Sequence, residues 1–360
     1  MSLKIAIVGL PNVGKSTLFN ALVKGSQAQA ANYPFCTIEP NVGIVEVPDS
    51  RLATLGEISH SKKMVPAVVE FVDIAGLVRG ASKGEGLGNK FLSHIRECDA
   101  IAMVVRFFED TNVVHVGGKI GPADDISVIE TELQLADLET VNKRLSSLEK
   151  DIKSGDKDAQ RRSDILTNIR TLLDDGKSAR EANLLDDDIK LIKELGLMTL
   201  KPVIYIANCS EKQLKDFNNG TIEQSSNFSF IPVSAKIEAE LNELGDDEKK
   251  EYLKELGLES SGLDRLIKKA YEILGLISYL TSGEPETRAW TIHKGDTAPR
   301  AAGVIHGDFE RGFIAADVVK FDDFIANNGW TGCKEKGLVK TQGKDYIVQD
   351  GDVVLFKFNV

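Results

Sequence analysis

Lys15 and Ser16 close the run Gly9-Leu10-Pro11-Asn12-Val13-Gly14-Lys15-Ser16, which fits the spacing G-x-x-x-x-G-K-[ST]. Each residue type has a chemical reason to be there. Gly9 and Gly14 let the backbone curl until successive N–H groups point inward, as a phosphate requires. The amine of Lys15 would reach β- and γ-phosphates, and the Ser16 hydroxyl would ligate Mg²⁺. The backbone of Asn12, Val13, Gly14, Lys15, Ser16 and Thr17 would supply the cradle. The flanks suit the task. Ile5 to Val8 form a short apolar run that reads as a buried strand, and residues 17–22 carry helical spacing. Strand, glycine loop and helix are the context a phosphate-binding loop needs.

Further along lie residues that could complete such a site. Thr37, in the two-proline loop of residues 31–40, stands where a switch threonine would close on Mg²⁺ and the γ-phosphate. The apolar run 66–72 ends in Asp73-Ile74-Ala75-Gly76. This D-x-x-G sets the Asp73 carboxylate near a Mg²⁺ water shell and the Gly76 N–H near the γ-phosphate. Leu77 follows, where a glutamine ordinarily positions the attacking water, and a leucine cannot orient water. Residues 80–88 hold four glycines in nine positions, which reads as a mobile switch segment.

Asn208-Cys209-Ser210-Glu211 ends the strand-like run 202–207, at the position of the guanine-reading N-K-x-D. Cys209 replaces the lysine, and Glu211 replaces the aspartate with one more methylene, so guanine reading is compromised. The Asn208 amide could still pair with adenine N6 and N7. Ser234-Ala235-Lys236, after the run 230–233, matches the last base-contacting loop of this class. In this order the motifs define a P-loop NTPase of α/β doubly wound architecture.

The chain has 360 residues, enough for two or three domains. Between 127 and 198 apolar residues recur at three to five positions among charges, which reads as an antiparallel helical hairpin. Residues 154–162 look like its polar turn. From about residue 278 short apolar or alternating runs, at 288–292, 301–305, 314–319, 346–348 and 353–358, predict a β-rich domain. The expected organisation is a nucleotide domain over 1–127 and 199–277, a helical insert over 128–198 and a C-terminal domain over 278–360.

Lys and Arg number 44 against 55 Asp and Glu, a net charge of −11, which excludes a general nucleic-acid coat protein. No apolar run is long enough to span a membrane, and an N-terminal strand leaves no room for a signal peptide. Cys36, Cys98, Cys209 and Cys333 are scattered, as free thiols in a reducing cytoplasm would be.

The sequence closely resembles the YchF/Obg-like ATPase family over its whole length. The resemblance is carried by GLPNVGKST at 9–17, NYPFCTIEPN at 32–41, DIAGLV at 73–78 and the glycine-rich stretch 84–96. N-x-x-E at 208–211 and the RAWTI, APRAAGVIH and GFIAADV segments of the tail extend it. It implies an inserted coiled-coil arm, a C-terminal TGS domain of β-grasp type, a preference for ATP over GTP, cytoplasmic location and association with ribosomes. His115 resembles a histidine that the family keeps and could orient water in place of the missing glutamine. Asn12 resembles the asparagine that holds K⁺ in relatives lacking that glutamine.

RNA contact would fall to the arm, with Lys143, Arg144, Lys150, Arg161 and Arg162, or to the TGS-like domain. The latter has Lys294, Arg300, Arg311 and four lysines between 334 and 344 but no aromatic stacking platform. The expected protein is a slow Mg²⁺-dependent ATPase that acts as a ribosome-associated switch. A GTPase of the same fold and a nucleotide-stabilised binding module remain alternatives. A small-molecule kinase is disfavoured, because no acceptor site is visible.

Overall fold

Ile5, Ala6, Ile7 and Val8 are each fully buried, and strand β1 (Lys4–Val8) is the centre of the first sheet. The computed structural model describes residues 3–26, 41–74, 87–108, 121–218 and 228–359. Helix α1 (Lys15–Ser26) leaves the glycine loop, and β2 (Val42–Glu46), α2 (Arg51–Ile58), the two-residue β3 (Met64–Val65) and β4 (Val68–Asp73) follow. Helix α3 (Leu87–Glu97) packs Phe91, Leu92 and Ile95 inward and leads to β5 (Ala100–Arg106), which is buried at all positions.

After β5 the chain leaves the sheet. Helix α4 (Pro122–Lys153) starts with proline, carries Asp124 and Asp125 in its first turn and has Lys150 and Lys153 in its last, as the helix dipole favours. Helix α5 (Lys157–Asp174) returns antiparallel to it. Val141, Leu148, Ile165, Leu166 and Ile169 are buried between the two. The polar stretch 154–162 is therefore mostly helix, and only 154–156 turns. The Asp156 carboxylate accepts from the N–H groups of Asp158 and Ala159 at 2.8 and 3.1 Å and so starts α5 early. Helix α6 (Asp186–Ile192) and short 3₁₀ turns bring the chain back to β6 (Val203–Asn208).

Helix α7 (Glu211–Asn218), β7 (Phe230–Val233), α8 (Ala235–Leu241), α9 (Asp246–Glu255) and α10 (Gly262–Ile273) complete this part. The sheet order is β2-β4-β1-β5-β6-β7, parallel except for the edge strand β2. The carboxyl ends of β1, β4, β5 and β6 all face one side, where such folds bind ligands.

The C-terminal part is a second sheet covered on both faces: Tyr279, Val318 and Val354 pack with Ala298, Ala301 and Ala302 on one, and Leu280, Val319 and Val353 share a core with Phe324 and Cys333 on the other. It comprises β8 (Leu276–Ser282), β9 (Thr287–His293), α11 (Ala298–Ile305), α12 (Gly307–Arg311) and β10 (Phe313–Lys320). Helices α13 (Phe321–Ala326) and α14 (Trp330–Glu335), then β11 (Lys340–Gln342) and β12 (Asp352–Phe358), finish the chain. This agrees with the β-grasp expectation, with two local differences. Residues 301–305 form helix, not strand, because Pro299 in the first turn and three buried alanines, Ala298, Ala301 and Ala302, favour a closely packed helix. Residues 346–348 make only an isolated bridge, Ile347 to Thr297.

The two sheets are joined. Strand β3, from the nucleotide domain, pairs in parallel with β9 and becomes the edge of the second sheet. The hydroxyls of Ser59 and Ser282 and of Ser61 and Thr287 meet at 2.8 Å across that seam, and those of Ser282 and Thr287 meet at 2.9 Å on its C-terminal side. Arg51 bridges Asp49 and Asp350. Among the described residues no helix is long and apolar enough to cross a membrane.

Glu238 on α8 is 4 % exposed and accepts the Gly262 N–H at 2.7 Å, and burial pushes its pKa from 4.5 up to about 7. The folded chain holds this proton in a window where the unfolded chain has lost it. Stability from this group is therefore present at low pH and lost as pH rises through about 7. Urea unfolding of Glu238→Gln between pH 5 and 8 is expected to remove that downward trend, worth roughly 3 kcal/mol across the window.

Candidate nucleotide site

The loop between β1 and α1 is shaped by two left-handed residues, Asn12 at φ 65° and Gly14 at φ 88°. A side chain at 14 would be strained and would also strike the amide of Asn208. Helix α1 starts at Lys15, so its first N–H groups and the positive end of its dipole face the loop's mouth. In front lies a cleft of about 610 Å³. Asn12, Gly14, Lys15, Ser16 and Thr17 line it from the loop, and Asn41 and Asp73 line it from the strands beside.

Lys15 is buried, and its ammonium pairs with the Asp73 carboxylate at the end of β4. A cation and an anion thus share one wall of the same cleft. Ser16 and Thr17 are exposed on it. Ser16 and Asp73 offer hard oxygen donors beside a phosphate cradle, the donor set Mg²⁺ prefers when it keeps waters and shares phosphate oxygens. Among the described residues there is no cluster of three or more His, Cys, Asp or Glu that could hold a metal ion.

Behind the loop, Asn208 is buried at the end of β6. Its Nδ2 donates to the Val13 carbonyl at 2.8 Å and its Oδ1 accepts the Ala235 N–H at 3.1 Å. One donor and one acceptor of the amide therefore brace two loops. Cys209 is buried against Leu214 and Ile237, donates to the Val233 carbonyl at 3.4 Å, and burial pushes its thiol up to about 12. Glu211 opens α7, is exposed, and accepts from Lys215 at 2.9 Å. Ser234 is the buried cap residue before α8, and Ala235 is buried too.

The structure thus gathers Asn12, Gly14, Lys15, Ser16, Thr17 and Asp73 at one cleft. Val13, Asn208 and Ala235 form its rear support. Glu211 and Ser234 do not line the cleft. Thr37, Gly76 and His115, with Cys36, lie outside the described residues.

One residue of the cleft, and one buried arginine at the carboxyl end of β5 outside the cleft's lining, were not singled out from sequence. Asn41, left-handed at φ 70°, accepts the Asp73 N–H at 2.8 Å and lines the cleft. An asparagine just after a proline was the available signal. Arg106, buried at the end of β5, donates to the Phe108 carbonyl at 3.1 Å and sits over its ring at 4.5 Å. A strand-terminal arginine carries no spacing signal.

A strand–glycine loop–helix at the carboxyl edge of a parallel sheet, with a buried lysine facing an aspartate, defines a P-loop nucleotide-binding domain. Two family models match: one described as 50S ribosome-binding GTPase over residues 4–144, and the YchF-GTPase C-terminal model, described as protein of unknown function (DUF933), over 276–359. The chain is 54% identical over 367 residues to the ribosome-binding ATPase YchF of Bacillus subtilis, with 100% of both chains covered. It is 51% identical over 366 residues to that of Escherichia coli O157:H7, again with full coverage. The solved structure of the Schizosaccharomyces pombe YchF GTPase superposes with a TM-score of 0.86 at 38% identity, covering 99% of this chain and 98% of that one. The chain belongs to the YchF family.

If Asn208 braces the loops, its loss should be felt without any nucleotide. Asn208→Ala leaves the Val13 carbonyl and the Ala235 N–H unpaired, and thermal unfolding should show a loss of about 2 to 4 kcal/mol. Gly14→Ala should lower stability as well, through both the φ it requires and the collision with Asn208.

Proposed function

We propose that this chain is a Mg²⁺-dependent ATPase, selective for ATP over GTP, whose nucleotide state governs a ribosome-associated regulatory role. The observation that carries the reading is the cleft in which the buried Lys15 faces Asp73 beneath the start of α1. In this reading the N–H groups of residues 12–17 hold the β- and γ-phosphates. Lys15 gives up Asp73 for phosphate oxygens, and Asp73 turns to the metal's water shell. Ser16 holds the metal directly, with Thr37 as the second hydroxyl. A bound Mg²⁺, held by Ser16 and Thr37, would supply positive charge against the phosphates. Water attacks the γ-phosphorus, the bond to the β–γ bridging oxygen breaks, and ADP and phosphate leave.

Leu77 cannot orient that water, so His115 is assigned the positioning and the Gly76 N–H the contact with the γ-phosphate, and turnover without a partner is slow. Asn12 would hold K⁺ beside the phosphates, which supplies positive charge where an arginine finger is lacking. Asn208, Glu211, Ser234 and Ala235 are assigned to the base. Glu211, one methylene longer than aspartate and drawn toward Lys215, supports weak guanine recognition.

Relatives named ribosome-binding ATPase support the ribosome as partner and ATP as substrate. RNA contact is assigned to the helical insert, residues 128–198, and to the C-terminal domain from 278. Much of the basic character there is neutralised: Lys143, Arg144 and Arg161 pair with Glu139, Glu194 and Asp188, and Arg300 and Arg311 pair with Asp296 and Asp308. Lys150 and the lysines of 334–344 are the better points to test.

Calorimetry with non-hydrolysable Mg-ATP and Mg-GTP analogues decides nucleotide choice. ATP is expected to bind at least about tenfold tighter, about 1.4 kcal/mol. Glu211→Asp alone should narrow that gap. It is a cleaner variant than one including Cys209→Lys, which would press an ammonium into an apolar cluster. Tighter GTP binding by the unaltered chain would return it to the conventional GTPases. Lys15→Ala should weaken the ATP analogue by at least about tenfold. Replacing K⁺ by Na⁺ should slow turnover without changing affinity if Asn12 holds the cation.

A further inference from the structure

The helix that follows the D-x-x-G segment ends in an arginine that grips the helical insert. Arg96, in the last turn of α3, donates from Nη2 to the Thr140 hydroxyl at 3.0 Å and to the Ala136 carbonyl at 3.4 Å. Its Nη1 donates to the Leu195 carbonyl at 3.3 Å. One guanidinium thus holds both the outgoing helix of the insert and the segment that returns from it. The return segment also caps α3. Lys201 donates to the Arg96 carbonyl at 2.9 Å and to that of Cys98. Asp137 completes the joint by accepting from the Met198 N–H at 3.1 Å and from the Thr199 N–H and hydroxyl at 2.7 Å each.

The C-terminal domain is attached differently. It shares a sheet with β3 and a hydroxyl seam with the nucleotide domain, neither of which involves α3. The root of α4 is apolar, with Ile129, Leu133 and Ala136 in one core with Phe91, Leu92 and Ile95; the polar contacts of Arg96 lie where that core ends, beside a cleft of about 180 Å³ lined by Leu92, Ser93, Glu139 and Lys143. Polar contacts to carbonyls can exchange partners at little cost, whereas strand pairing cannot. Beyond Thr140, helix α4 runs on to Lys153, about 20 Å of rigid helix. A displacement of α3 of an ångström or two would be magnified at the tip.

We infer that Arg96 couples the nucleotide site to the helical arm: the γ-phosphate positions α3 through the D-x-x-G segment, and Arg96 carries that movement into α4. The arm is the element whose position reports the nucleotide, and the C-terminal domain moves with the nucleotide domain. Arg96 acts as a positioning residue and touches no substrate. A lysine could not replace it, because a single ammonium cannot span acceptors on two segments with the guanidinium's planar fork.

This rests on the nucleotide reading above, and the test separates the two. Spin labels at Lys157→Cys, on the arm tip, and Glu251→Cys, on α9, in the full chain with Cys36→Ser, give a distance by pulsed electron resonance. Its mean is expected to differ between ADP and a non-hydrolysable ATP analogue. Arg96→Ala should abolish the difference while affinity for each nucleotide stays within about twofold, since the lost coupling lies beyond the site. Arg96→Lys should not restore it, and Thr140→Val, which removes one partner with little change in volume, should reduce it. Should Arg96→Ala fail to fold, Thr140→Val decides. One distance in both nucleotides, or a difference that survives Arg96→Ala or is unreduced in Thr140→Val, would overturn the inference. Absence of nucleotide binding by the otherwise unaltered chain would overturn both readings, whereas binding and turnover with an unmoved arm would overturn only this one.

Discussion

The amide of Asn208 is the contact on which the geometry of the nucleotide site depends. It bonds the Val13 carbonyl on one side and the Ala235 N–H on the other. The loop it supports has no strand or helix of its own and contains two left-handed residues. Such a loop belongs to no sheet ladder or helix that would fix its path. Each bond contributes only about 1 kcal/mol net, but an unpaired buried partner costs more. The brace is therefore a matter of position more than of gross stability. It sets the β1–α1 loop against β6 and α8, elements nearly two hundred residues later in the chain.

Charge follows the same logic at the front of the cleft. Lys15 and Asp73 are placed by the ends of neighbouring parallel strands, β1 and β4, and compensate each other's burial. In the joint below the insert, Asp137 is a buried carboxylate whose pKa burial raises, while three donors from Met198 and Thr199 pull it back down. Both are polar contacts between segments far apart in the chain, and each fixes one segment against another where apolar packing alone would leave the register loose. The seam to the C-terminal domain adds a continuous sheet edge, a far more rigid device.

Local signals in the sequence carried a large part of this. The run Ile5 to Val8 was legible because a nearly fully buried parallel strand must be apolar throughout, and the Asp73 strand and the run Phe230 to Val233, partly exposed, were legible as short apolar runs beside the glycine loop and the later motifs. Failures fell where two periodicities overlap. Ala301 to Ile305 reads equally as a buried strand or a buried helix turn, and Pro299 with tight alanine packing decided for helix. Residues 154–162 looked like a turn because their helix is exposed on most sides, and the Asp156 cap, three residues before Ala159, was the available clue. Asn208 was legible as a site residue, but its bracing role was not, since nothing near it in sequence names Val13 or Ala235.

By itself the sequence determined the strand–glycine loop–helix unit, the order of the motifs and the helical character of the insert. These depend on residues adjacent in the chain, where spacing dictates geometry. The tertiary structure alone decided which segments touch: that β3 would cross to the second sheet, that Asn41 would stand beside Asp73, that Glu211 would turn to Lys215, and that Arg96 would reach both roots of the arm. Such contacts are made by a few polar atoms converging from distant positions. A hydrogen bond leaves no period in a sequence, and its partner is known only once the apolar packing has fixed where each backbone lies.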